Sequence, residues 1–229
     1  MQLHDSLSRF NDHDLPENFV SIAVQIDPKD QQPKHAGILI RYNSVNYLHH
    51  YPGGSPPLVE DNFNESGWYI YKILDSFNYN DPSDIASFLQ YCRRVCKNSN
   101  ITYSYIADGS SYDQTGDFAS KQGLPEFGTC VGFCLNTLQG GMIDIESTIL
   151  ELSEWDNSKV DVNIDNWAQG KVNDKYPDLN WDLYNAFKKR ITPLEYLCSA
   201  YFSSFPISKN DITIIAKQVL EEIRLIYKN

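Results

Sequence analysis

Positive charge is scarce in this chain: 19 lysines and arginines stand against 30 aspartates and glutamates, a formal net charge of −11 at pH 7. No basic cluster is dense enough to override that balance locally, so a phosphate backbone or an anionic membrane surface is repelled and neither is expected as a partner. Long apolar runs are missing as well. No stretch approaches the roughly 20 apolar residues of a membrane span, and Met-Gln-Leu-His-Asp-Ser-Leu-Ser-Arg-Phe at the start lacks the basic opening and apolar run of a signal peptide. A cytoplasmic protein is expected, although an export route that needs no signal peptide would leave no mark here. The five cysteines, an odd number in a chain of 229 residues, do not make the framework of a small secreted disulfide protein, so free thiols are expected.

Nothing calls for a cofactor or a metal. Structural zinc sites usually draw each ligand pair from a tight turn at shorter spacing than Cys92/Cys96 and Cys130/Cys134, and Cys92 lies on the apolar stripe of its predicted helix. No Asp or Glu stands in a recognised ligand spacing with His35, His49 and His50.

What is present is a composition able to bury one substantial core, 41% hydrophobic and 13% aromatic. Residues up to about Glu17 are polar and read as loosely ordered or a short helix. Asn18 to Asp27, His35 to Tyr42, Val45 to Tyr51 and Trp68 to Leu74 read as strands, the middle two forming a hairpin that Pro52-Gly-Gly-Ser-Pro-Pro57 ends. Asp81 as N-cap, Pro82 at the first position and the helical spacing of Ile85, Phe88, Leu89, Cys92 and Val95 predict a helix. Ile101 to Ala107 resembles a short strand, and Asp108 to Gly128 is a segment without periodicity, longer than the 12 to 15 residues or so of an ordinary loop. Thr129 to Gln139 is predicted helical and stopped by Gly140-Gly141. Asn157 to Asn180 reads as irregular. Trp181 to Arg190, Pro193 to Phe202 and Asp211 to Tyr227 read as helices.

Two of these segments carry chemistry. Cys130 stands at the head of its predicted helix, where unpaired N–H groups and the positive dipole end favour a thiolate and can hold an oxyanion. A lowered pKa and a cleft-facing thiol are expected for Cys130. Cys134, one turn further in, is expected to be a core residue with an ordinary or raised pKa, and Cys198 reads as core. The base must be an imidazole held by a third group. His35, Gly37 and Leu39 share a sheet face. A two-residue Asn43-Ser44 turn would bring His50 beside His35, whereas an odd turn or a bulge would bring His49, and the pattern leaves both open.

With these residues in view, the chain resembles the circularly permuted papain-like cysteine proteins, the group of the NlpC/P60-like, lecithin:retinol acyltransferase-like and PPPDE-like families. His35-Ala-Gly-Ile-Leu-Ile40 is similar to the strand that a His opens there, Tyr47-Leu48-His49 to the next strand with its polar residue, and Thr129-Cys130-Val-Gly-Phe133-Cys-Leu-Asn-Thr-Leu138 to the nucleophile helix, with Thr where the family has Asn. His precedes Cys, the order of the permuted families. The resemblance covers roughly residues 18 to 140. The polar, irregular stretch from Asn157 sets a soft boundary near Glu154, between a core over residues 1–154 and a helical accessory segment over 155–229 packed on it and outside the resemblance. The resemblance implies an α+β fold, a papain-like antiparallel sheet packed on the helix that bears the nucleophile. It also implies Cys130 as nucleophile, His35 as base and His49 as the orienting residue. The expected activity is that of a cysteine hydrolase of the peptidase or amidase type, or a transferase, acting on an amide, isopeptide or thioester-like carbonyl in a peptide or protein substrate. A non-catalytic protein-binding module that keeps the fold is the alternative.

Overall fold

The computed structural model describes residues 7–10, 15–65, 67–77, 81–142 and 148–228; His4 and His13, for which no role is read from the sequence, lie outside them. The architecture is α+β. Six strands, β1 (Leu7–Arg9), β2 (Phe19–Ile26), β3 (Pro33–Tyr42), β4 (Val45–His50), β5 (Leu58–Asp61) and β6 (Tyr69–Ile73), form one sheet in the order β1-β6-β2-β3-β4-β5. Every neighbouring pair in it is antiparallel. Short pieces follow: β7 (Thr102–Tyr103) pairs in parallel with β10 (Phe127–Gly128), and β8 (Ser111–Tyr112) pairs with β9 (Phe118–Ala119). The described residues also form six α-helices: α1 (Pro82–Asn98), α2 (Cys130–Met142), α3 (Val162–Lys175), α4 (Trp181–Ala186), α5 (Pro193–Ser199) and α6 (Lys209–Ile226). None of the described helices is long and apolar enough to cross a membrane.

The sheet is apolar on both faces, because alternate residues of its strands serve two clusters. Val20, Ile22 and Val24 of β2 and Ala36, Ile38 and Ile40 of β3 meet α1, α2 and α5 through Ile85, Phe88, Val131, Phe133, Cys134, Tyr196 and Cys198. Phe19, Ala23, Leu39, Leu48 and Tyr71 point the other way, against Phe10 and Phe63. The α5 residue Tyr196 also donates its hydroxyl to the Gly37 carbonyl at 3.2 Å.

Four local expectations are corrected. Leu7–Arg9, read as loose or helical, is an edge strand on β6. Leu58–Asp61, unassigned beyond the prolines, pairs with β4 as β5. Gly140 and Gly141 do not stop α2, which runs to Met142. They are there for close approach, since a Cβ on Gly140 would overlap the Tyr112 carbonyl oxygen and one on Gly141 would press on the Phe88 ring. Finally, α3 lies where an irregular segment is read. Asp161 caps it through the N–H groups of Asn163 and Ile164, and only Asp165, Ala168 and Val172 are buried, which leaves little apolar periodicity to read.

Candidate functional site

The turn between β3 and β4 decides which histidine meets which. Asn43 and Ser44 have φ of 49° and 63°, the left-handed pair of a two-residue hairpin turn. Tyr42 therefore pairs with Val45, and the register carries Gly37 to His50 and Ile38 to His49. His50 comes up beside His35, with His35 Nε2 2.9 Å from His50 Nδ1 and the rings edge to face at 5.1 Å. The expectation that His49 orients His35 is thus corrected: His50 has that position, and alternation turns His49 to the opposite face.

Behind His50, Glu60 on β5 brings Oε1 to 2.9 Å from His50 Nε2, an approach without the alignment of a full hydrogen bond. Burial pulls His35 and His50 down to about 4, His50 adding a smaller downward push on His35, so both rings are neutral near pH 7. The carboxylate favours the His50 proton on Nε2. His50 Nδ1 then accepts from His35 Nε2–H, and His35 Nδ1 keeps its lone pair.

Cys130 is the first residue of α2, and Thr129 caps that helix by accepting the Gly132 N–H at 3.2 Å. The thiol is partly buried. Burial raises its pKa, and the opposing influences are the Ala36 N–H, the Arg190 charge and the N–H groups of Val131 and Cys130 itself. The helix end acts in the expected direction, but desolvation outweighs it, so the expected lowering is corrected to a rise. Cys134 is fully buried and raised well above the ordinary thiol value, first by burial.

Among the described residues no hydrogen bond joins Cys130 to His35. The two flank one peptide group: the Cys130 sulfur meets the Ala36 N–H from the α2 side, while the His35 ring lies with Gly37 on the other side of the strand.

His49 belongs to a different cluster. It is completely buried, stacks on Phe133 at 4.7 Å, and places Nε2 3.0 Å from Thr137 Oγ1. The Thr137 hydroxyl proton is committed to the Phe133 carbonyl at 2.9 Å, so Thr137 accepts from His49 Nε2–H. His49 Nδ1 is left to accept from Cys96, whose sulfur is 3.3 Å away. Burial pulls His49 down to about 3, with a smaller push from His50, and lifts Cys96 to about 12, so this is a neutral pair.

The sequence reading therefore missed Glu60, Arg190, Cys96 and Thr137 as neighbours of the site histidines and thiol. Only long-range packing brings them in, and no spacing signals it. No group of three or more His, Cys, Asp or Glu among the described residues is placed to hold a metal ion. No protein-family model, curated protein or solved structure matches the chain.

Proposed function

We propose that the protein is a thiol-dependent hydrolase or transferase acting on an amide, isopeptide or thioester-like carbonyl, with Cys130 as nucleophile and His35 as base. His50, in place of His49, orients the base, and Glu60 holds His50. The observation that carries this reading is the His35–His50–Glu60 chain, which leaves His35 Nδ1 open on the residue whose following N–H touches the Cys130 sulfur. The chain order, histidines first and thiol helix later, and an antiparallel sheet packed on that helix support the circularly permuted papain-like arrangement.

The mechanism follows from the proton inventory. Cys130 is a thiol at rest, so His35 Nδ1 must take the S–H proton as sulfur attacks the carbonyl carbon. The free N–H groups at the head of α2 receive the developing oxyanion. His35 returns the proton to the leaving group, a thioester forms on Cys130, and water or a second acceptor releases it. Because the His35 ring lies on the far side of β3 from the Cys130 sulfur, this transfer requires the His35 side chain to turn toward α2 when substrate binds.

Incubation with p-nitrophenyl acetate tests this by intact mass and peptide mapping. The expected result is a burst of p-nitrophenolate with one acetyl group on Cys130, abolished in Cys130→Ser and slowed about a hundredfold in His35→Gln. An adduct on Cys96 instead, or none at all, would contradict it. The second reading is the non-catalytic binding module, favoured by the burial that keeps Cys130 protonated.

A further inference from the structure

A cleft of about 550 Å³ opens between residues 51–57, residues 99–103 and helix α3. One wall is a row of aromatic rings: Tyr51 and Tyr103 lie 6.3 Å apart, Tyr103 and Trp167 5.8 Å apart, all tilted, and Trp167 is 49% exposed. Gly53, at φ 83°, lays the loop directly on the Tyr103 ring, where a Cβ would approach it to 3.0 Å. Two lysines of α3 face the cleft with Asp174. Lys175 is spent on the structure, donating to the Asn100 carbonyl, Asn100 Oδ1 and Thr102 Oγ1. Lys171 has no hydrogen-bond or ion-pair partner among the described residues.

Cys130 does not line the cleft, but one cleft wall belongs to the strand that pairs with the residues just before it. The β7–β10 ladder sets Tyr103 opposite Gly128, two residues before Cys130, and is extended by Ser104 N–H donating to the Gly128 carbonyl at 3.2 Å. The Tyr103 ring is the centre of the aromatic wall, and its hydroxyl is close enough to Cys130 for the two groups to interact electrostatically.

We propose that this cleft binds a peptide segment that presents an aromatic side chain flanked by carboxylates, and delivers it to Cys130. Tilted rings at these separations receive a further ring edge-on or offset. Lys171 and Lys175 outnumber Asp174 in the lining, a small local excess of positive charge that an acidic ligand can use although the whole chain carries −11. Both Trp167 and Lys171 lie on α3, beyond the part of the chain that carries the family resemblance, so the selectivity is this chain's own. Only the delivery step rests on the proposed thiol chemistry.

Two measurements separate the parts. In the Cys130→Ser variant of the 229-residue chain, acetyl-Glu-Phe-Glu-amide should bind saturably by calorimetry, and more tightly than acetyl-Glu-Ala-Glu-amide or acetyl-Gln-Phe-Gln-amide. Trp167→Ala and Lys171→Glu, both at exposed positions, should each weaken it by about fivefold or more, and Lys171→Glu should erase the preference for Glu over Gln. No saturable binding, or an affinity unchanged in Trp167→Ala, overturns the proposal. In the protein with Cys130 intact, the chloromethyl ketone of the same peptide should alkylate Cys130, sulfur displacing chloride to form a thioether and His35 taking the thiol proton. Trp167→Ala should slow that reaction while leaving labelling by iodoacetamide unchanged. Binding that persists while Cys130 stays unalkylated would keep the cleft and remove the delivery step together with the thiol chemistry it depends on.

Discussion

At His49 the surroundings settle what the side chain does. A completely buried imidazole pulled down to about 3 is neutral, and both its nitrogens are engaged, one by Thr137 and one by Cys96. Removing the Thr137 hydroxyl leaves the Nε2–H without an acceptor in a dry core. Thr137→Val should therefore cost about 1–3 kcal/mol in urea unfolding while p-nitrophenyl acetate still acetylates Cys130. An unchanged unfolding midpoint would show that the hydroxyl is not what satisfies His49. The sequence showed that an imidazole faced His35 but not which one. His49 and His50 are adjacent, so a single step in turn length exchanges them. Cys134 was easier to read, because a cysteine inside an apolar helix has few roles besides filling the core. For Cys130 the dipole effect was legible, but the burial that outweighs it depends on the packing of Ala36 and α2 and has no local signature.

Among the elements, the β3–β4 turn has the largest consequence for its size. Ser44 holds a φ of 63° that an L side chain adopts at a cost, so Ser44→Gly should stabilise the protein by about 1 kcal/mol with the His35–His50 pairing intact. A loss of stability would mean that the serine makes a contribution beyond its backbone. Helix α2 depends on glycine for the opposite reason. Gly140→Ala should destabilise by about 1–3 kcal/mol or more, measured by thermal unfolding, because its methyl group has no space beside the Tyr112 carbonyl. Helix α1 and strands β2 to β4 were readable because cap, period and turn agree in one place: Asp81 caps, Pro82 starts, and Ile85, Phe88, Leu89, Cys92 and Val95 are all buried as their spacing predicts. Strand β5 and helix α3 were not. The first is a four-residue edge strand after a proline run, and the second has mostly exposed residues and is set by its cap and its few contacts.

For the whole molecule, the three site histidines couple folding to pH in one direction. His35 and His50 are held at about 4 and His49 at about 3, all below the 6.5 of a free imidazole. The unfolded chain therefore binds protons between those values that the folded chain refuses. Stability should be full above about pH 6.5 and fall as the pH drops toward about 4, seen as a lower urea midpoint in mild acid. His49→Gln should flatten part of that slope, and a midpoint independent of pH over this range would contradict the burial of the three rings. The same pKa values shape the chemistry, since a raised thiol and a lowered imidazole cannot rest as an ion pair, and proton transfer has to accompany attack. The most direct test is the iodoacetamide labelling rate of Cys130 as a function of pH in the wild type, His35→Gln and His50→Gln. The expected result is a wild-type rate that depends on an imidazole titrating near 4, a fall of about tenfold or more in His35→Gln, and a smaller fall in His50→Gln. Equal rates in all three proteins, rising only as the thiol itself ionises, would contradict it.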